Sequence, residues 1–296
     1  MQNKPMNETQ PRQDGGSHRR ALAALHCAVA LFGFAGLFGK WLALPAVTIV
    51  FGRSAIAAVA LSLLLHFARE AGPRSSFEWQ LAAGGVVLAL HWVSFFQAIQ
   101  IASVAVGLLG FASFPLFVLL LEAGLRQRPL HAAEWLTAAL VTAGLALLVP
   151  EFSVENRTVQ GLAWGLVSGF TFALLAVNNR ALAVRHRSGA IALWQNACGA
   201  LVLMPFAVAA ATVPDAREMA LLVVLGVACT ALSHTLFIRS LRILSAHTAS
   251  AVAALEPVYG IALAFLLLGE TPIARTLAGG ALIVGAAFFA SVRTFR

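Results

Sequence analysis

FFQAIQIASVAVGLLGFASFPLF (residues 95–117) and FIRSLRILSAHTASAVAALEPVY (residues 237–259) lie 142 residues apart and can be laid one over the other. The overlay pairs Phe95 with Phe237, Ser103 with Ser245 and Pro115 with Pro257. At an offset of 140, Lys40 at the end of one apolar run meets Arg180 at the end of another. Identities this sparse carry weight only if another property follows the same period. The charges do, because Gln97 and Gln100 fall opposite Arg239 and Arg242, as though one helix end had been refitted for the other side of a boundary.

That boundary is a membrane. Of the 296 residues 60% are hydrophobic and only 11% charged, and the mean hydropathy is +0.85. Soluble domains carry roughly a quarter of charged residues, which excludes an ordinary water-soluble enzyme. Apolar runs bounded by charge, Pro or Gly number ten, near 21–40, 47–68, 79–98, 103–122, 132–149, 160–180, 189–211, 218–238, 246–268 and 273–292. Each approaches the roughly 20 residues a helix needs to cross a bilayer. Isolated strands would leave backbone groups unpaired in lipid, and no alternating barrel pattern is present.

The expected fold is therefore an all-α integral membrane protein of ten transmembrane helices. Five spans per half is odd, so the second half enters the membrane inverted relative to the first, an architecture that recurs in secondary transporters. Residues 1–20 are polar and are expected to be a disordered cytoplasmic tail. Residues 21–150 form the first repeat with helices 1–5, and residues 151–296 the inverted second with helices 6–10. The apolar run from Ala21 is longer than the 7 to 15 residues of a signal-peptide core and is read as a span.

A net charge of +8 and a pI near 10.9 would suit a nucleic-acid binder. The placement of the charges argues otherwise. With the tail inside, 15 of the 20 Lys and Arg fall on cytoplasmic segments, four (Lys40, Arg157, Arg217, Arg275) fall outside, and Arg53 lies within the second span. This bias sets orientation under the positive-inside rule, with both termini cytoplasmic in a cell's inner membrane and no nucleic-acid partner. Trp41, Trp79 and Trp135 fall at span ends, as interfacial tryptophans do. Cys27, Cys198 and Cys229 all sit inside apolar runs and read as small core residues.

Gly33 through Lys40 end the first span and Arg53 sits in the second. Glu256-Pro257 followed by Gly269-Glu270 and Pro272 occupy the ninth span and the loop after it. In this order and spacing the chain resembles the drug/metabolite transporter superfamily, in its ten-helix branch of paired EamA domains, over residues 21 to 292. Within the branch it is similar to the YddG-type aromatic amino-acid exporters. The first half departs from the pattern, with Phe114-Pro115 where the second has Glu256-Pro257 and Arg128 near the place of Glu270.

Ionisable groups inside a bilayer are costly and mark function by default. Glu256 is read either as a cavity carboxylate that binds a substrate ammonium or takes up a proton, or as a tie between helices. Tyr259 shares its helical face. His91 either bonds a substrate carboxylate or a facing helix, while Trp92 and Trp164 offer flat walls to an aromatic substrate or serve packing. Arg53 either snorkels outward or pairs with a carboxylate, of the protein or of a substrate. Asn178, Asn179, Gln195 and Asn196 lie near span ends, where interfacial solvation accounts for most of them. Gly161, Gly165 and Gly169 form a ridge that admits a close helix neighbour.

No HExxH, no paired carboxylates at metal spacing and no phosphate-binding loop are present, so neither enzyme chemistry nor a cofactor is expected. The expectation is a secondary transporter of small molecules in a lipid bilayer, working by alternating access. The resemblance implies export of amino acids, aromatic ones favoured. Cationic drugs, nucleobases or polyamines remain as cargo alternatives, and an intramembrane enzyme or passive channel as alternatives of another class. Proton coupling through Glu256 and facilitated diffusion both fit, and the oligomeric state is left open.

Overall fold

The computed structural model describes residues 15–67, 78–125, 129–149, 153 and 155–293. These residues form helices joined by short connections, with no strand among them. In chain order the helices are α1 (Gly15–Trp41), α2 (Ala46–Phe67), α3 (Trp79–Ile101), α4 (Val104–Phe111), α5 (Phe114–Leu125), α6 (Ala132–Leu148), α7 (Arg157–Arg185), α8 (Ser188–Ala209), α9 (Ala216–Gly226), α10 (Ser233–Ser240), α11 (Ala246–Ala253), α12 (Glu256–Leu268) and α13 (Ala274–Arg293). A π-helical turn, Val227–Leu232, joins α9 to α10 without interrupting the span.

Seven of the resulting segments are long and apolar enough to cross a membrane, and three shorter apolar helices, Ala132–Leu148, Glu256–Leu268 and Ala274–Ala286, bring the number to ten. α4 with α5 makes the fourth span, α9 with α10 the eighth, α11 with α12 the ninth. The first helix begins at Gly15, six residues before the expected start at Ala21, so Gly15 to Arg20 are helical. Residues 1–14 of the expected tail lie outside the described residues.

The internal repeat is visible in the backbone. α4 and α11 each run for eight residues, and Val104 and Ala246, their first residues, differ by the same 142 positions as the sequence overlay. Ser103 and Ser245 both accept a hydrogen bond at the helix start, from the amides of Val106 and Thr248, which satisfies donors the first turn leaves open. Both spans then break at matching places, Ala112–Ser113 and Ala254–Leu255, and resume at Phe114-Pro115 and Glu256-Pro257. Proline lacks the donor and crowds the carbonyl one turn back, so each span restarts with proline in its first turn.

The halves do not sit side by side. α2 packs on α8 and α6 on α13, each helix against its own counterpart, while α3 packs on α7 and α1 on α10 as a matching pair. α4 against α7 is likewise answered by α1 against α12. Most of the packing thus runs between the halves, and the largest of three apolar clusters, with residues from both, fills the centre. Glycine permits the tightest of these contacts: a Cβ on Gly165 of α7 would stand 2.9 Å from the Gly110 Cα of α4. Gly161 and Gly169, one turn to either side, press on Ala102 and Ser113, so the expected ridge packs along α4. Of the cysteines only Cys229 is buried; Cys27 is exposed and Cys198 intermediate, so the core expectation holds for one of the three.

Candidate functional site

The second and eighth spans bring a cation to the centre. Arg53 is 1% exposed, so it does not snorkel, and among the described residues it meets no carboxylate in an ion pair. Its Nε donates to the Thr230 hydroxyl at 2.9 Å and its Nη2 to the Cys229 carbonyl at 3.1 Å. Both acceptors belong to the π turn, where the shift from an i→i+4 to an i→i+5 ladder presents backbone groups sideways. The Thr230 hydroxyl in turn donates to the Leu225 carbonyl at 2.7 Å. The guanidinium stacks on Trp92, with its carbon 4.0 Å from the ring centre.

Around this cation lies a small cavity walled by Phe32, Phe95, Phe111, Phe172 and Trp92, with His91, His234 and Glu256 as its polar members beside Arg53. Its free volume is about 20 Å³, room for about one water molecule and too little for an organic solute. The described conformation is therefore closed at the centre. His91 is held by Ser168, through its Nδ1 at 3.0 Å from the carbonyl and 2.9 Å from the hydroxyl. Its ring is packed by Phe95, Phe111 and Phe172 at centroid distances of 6.2, 5.4 and 4.9 Å. The carboxyl of Glu256, 3% exposed, makes no hydrogen bond among the described residues.

Four of the six residues singled out in the sequence thus meet: Arg53, His91, Trp92 and Glu256. Trp164 and Tyr259 do not line this cavity and are 39% and 36% exposed. Tyr259 follows Glu256 by three residues, which places it about 60° around α12 at 3.6 residues per turn, and it turns against α1 beside Gly33.

Sequence reasoning missed His234, which reaches the cavity from α10 at the head of a buried polar chain. Its Nε2 lies 3.1 Å from Gln195 Oε1, and Gln195 Nε2 donates to Asn179 Oδ1 at 2.6 Å. Asn179, Gln195 and Asn196 are fully buried, which corrects the expectation that interfacial water solvates them. The reason is helix length and packing: α7 runs on to Arg185 and α8 starts at Ser188, so these amides lie inside the bundle. One signal in the sequence pointed here, since the 142-residue offset pairs Trp92 with His234 and Arg53 with Gln195.

Side chains also tie the ends of the bundle. At the end that carries the α1 C-terminus, Glu270 accepts from the Val104 amide at 3.1 Å and Glu218 from the Ala43 amide at 3.2 Å, each a bond from the second half to the first. Arg157 donates to the Ile101 carbonyl at 2.9 Å, and Arg275 to the carbonyls of Leu147 and Val149. At the opposite end Glu78 bonds both Arg185, at 3.3 Å, and His186, at 3.0 Å. Among the described residues no group of His, Cys, Asp and Glu is arranged to hold a metal.

The sequence pattern of the EamA-like transporter family matches the chain twice, over residues 19–149 and 159–292. The chain belongs to this family. The double match agrees with the paired breaks and caps, and the family makes the chain a transporter of small solutes in a membrane rather than an enzyme. A relative named pseudopaline exporter CntI, from Pseudomonas aeruginosa strain UCBPP-PA14, is 32% identical over 243 residues, covering 81% of this chain and 84% of the relative. An uncharacterized transporter of Archaeoglobus fulgidus is 25% identical over 197 residues, 67% of this chain and 70% of that one. One solved crystal structure superposes with a TM-score of 0.69 at 20% identity over 93% of this chain and 99% of that chain, a likeness of fold.

Proposed function

We propose that this family member exports amino acids, aromatic ones favoured, by rocking of its two halves about the central cavity. The observation that carries the reading is that Arg53 and Glu256 line one aromatic-walled cavity with no ion pair between them. A zwitterion supplies what each lacks: its carboxylate meets the guanidinium, its ammonium meets the carboxyl, and its side chain meets the rings. His91 and Trp92 complete this binding centre. Trp164 and Tyr259, outside the closed cavity, are assigned to the path by which cargo arrives.

The orientation follows from the charges, with 15 of the 20 Lys and Arg on segments that share the side of the amino-terminal tail. That side is read as the cytoplasm and the membrane as a cell's inner membrane. Glu256 is the group proposed to couple export to proton entry.

Counterflow into proteoliposomes tests the reading. Labelled L-phenylalanine is expected to accumulate against an internal pool of the same amino acid, and Glu256→Gln and Arg53→Met each to abolish the overshoot. Unchanged counterflow in both variants, or movement of no amino acid in a full panel, overturns the assignment. The exporter relative favours a second reading in which pseudopaline itself is the cargo. Competition by pseudopaline stronger than by every amino acid selects that reading.

A further inference from the structure

We propose that His234 is a specificity-determining residue of this cavity, the acceptor that together with Glu256 makes the carrier demand an unblocked primary ammonium on its cargo. The inference rests on the amino-acid reading above and deepens it.

The His234 imidazole is fixed by Gln195. Gln195 spends its amide nitrogen on Asn179, so the oxygen is the atom it turns to His234. A carbonyl oxygen only accepts, so the ring must donate through Nε2, which leaves the Nδ1 lone pair as the acceptor of a singly protonated imidazole. No described residue bonds that nitrogen. The three side chains are essentially unexposed, and although Asn179 Nδ2 at the far end of the chain is left without a partner, burial strengthens the two bonds that are made. The fold reserves the room for it: a Cβ on Gly84 of α3 would overlap Gln195 Nε2, so only glycine lets the amide lie there. His234 is set edge-on against Trp92, ring centroids 5.9 Å apart, and the same Trp92 carries the Arg53 guanidinium.

The donors and acceptors left open on the cavity wall match a particular cargo. Arg53 has committed Nε and one Nη2 hydrogen to the π turn and keeps its Nη1 side for an anion. Two acceptors on the cavity wall, the Glu256 carboxyl and His234 Nδ1, are unbonded by any described residue. A cargo ammonium has three N–H donors and a charge to match both acceptors. An N-acylated amine has one N–H and no charge, and leaves an acceptor dry.

The experiment is counterflow of radiolabelled L-phenylalanine in proteoliposomes, with N-acetyl-L-phenylalanine as competitor and as labelled substrate. The wild-type protein is expected to prefer the free amine at least about tenfold, the worth of one hydrogen bond to a charged group. His234→Phe keeps a flat ring without the acceptor and is expected to raise KM for L-phenylalanine about tenfold at nearly constant kcat, and to erase the preference. His234→Asn, whose carbonyl falls close to the place of Nδ1, is expected to restore part of both. Gln195→Leu, which frees the ring, is expected to move both in the direction of His234→Phe. Should His234→Phe fail to fold, His234→Asn and Gln195→Leu decide on the same two readouts, wild-type values in both refuting the proposal. It is also refuted if His234→Phe keeps the wild-type KM and preference. If the wild-type protein carries the acetylated and free forms equally, the role of His234 falls and amino-acid export stands; if it carries neither, both fall.

Discussion

The guanidinium of Arg53 lies face-on to Trp92, 4.0 Å from the ring centre, while two of its nitrogens are tied to the π turn of the eighth span. One side chain thus joins the second, third and eighth spans across both halves. A lysine cannot reproduce this, because its point charge has neither the planar fork nor the stacking face. Arg53→Lys is expected to leave a folded, monodisperse protein whose counterflow is reduced at least about tenfold, since a desolvated cation–π contact is worth about 2 kcal/mol. Transport at the wild-type rate in that variant would show that the geometry of the cation is irrelevant.

Thr230 makes the π turn a specific holder of that cation. Its hydroxyl takes the Arg53 Nε–H and gives its own hydrogen to the Leu225 carbonyl. Thr230→Val keeps the shape and removes both bonds, so a buried charged donor loses its partner. The expected cost is about 1–3 kcal/mol, read as a lowered midpoint of thermal unfolding in detergent, and Thr230→Ser is expected to recover most of it.

The repeat was legible because caps and breaks have sequence signatures. Serine begins α4 and α11, and proline follows each break, so the 142-residue overlay carried the backbone as well as the identities. Three of the four basic residues that broke the charge bias also have a local cause. Lys40, Arg157 and Arg275 all donate to backbone carbonyls at helix ends or in the adjoining connections, where open acceptors and the negative end of the helix dipole favour a cation. The π turn was not legible, since VACTAL contains neither Pro nor Gly and the extra residue is accommodated by Thr230 bonding five positions back. The Asn179–Gln195–His234 chain was missed for a different reason. Distance from a span end along the chain says how deep a residue lies but not which neighbour covers it, and here α3, α7, α8 and α10 close over all three.

The contact of α4 with α7 is a place where one methyl group decides. A Cβ on Gly165 would meet the Gly110 backbone at 2.9 Å, and backbone cannot swing aside as a side-chain tip can. Gly165→Ala must separate two helices that also carry Phe111 and Phe172 of the cavity wall. The expected destabilisation is about 1–3 kcal/mol, as for overpacked cores. Gly124→Ala, where nothing lies within 4 Å of the added carbon in α5, serves as the control, expected to leave thermal unfolding unlowered or slightly raised.

Glu270 closes one end of the molecule by lending a cap to a helix of the other half. Its carboxylate accepts from the Val104 amide at 3.1 Å, one of the open donors at the start of α4. That bond exists only while the loop after the ninth span lies against the start of the fourth, so it stabilises the described arrangement over any in which the two part. A cap of this kind is worth about 0.5–2 kcal/mol, enough to shift a two-state equilibrium roughly two- to thirtyfold. Glu270→Ala is therefore expected to raise the rate at which a membrane-impermeant maleimide labels Thr158→Cys, whose parent lines the same cleft, in a background with Cys27, Cys198 and Cys229 replaced. Equal labelling with and without the carboxylate would mean that this end stays shut by apolar packing alone.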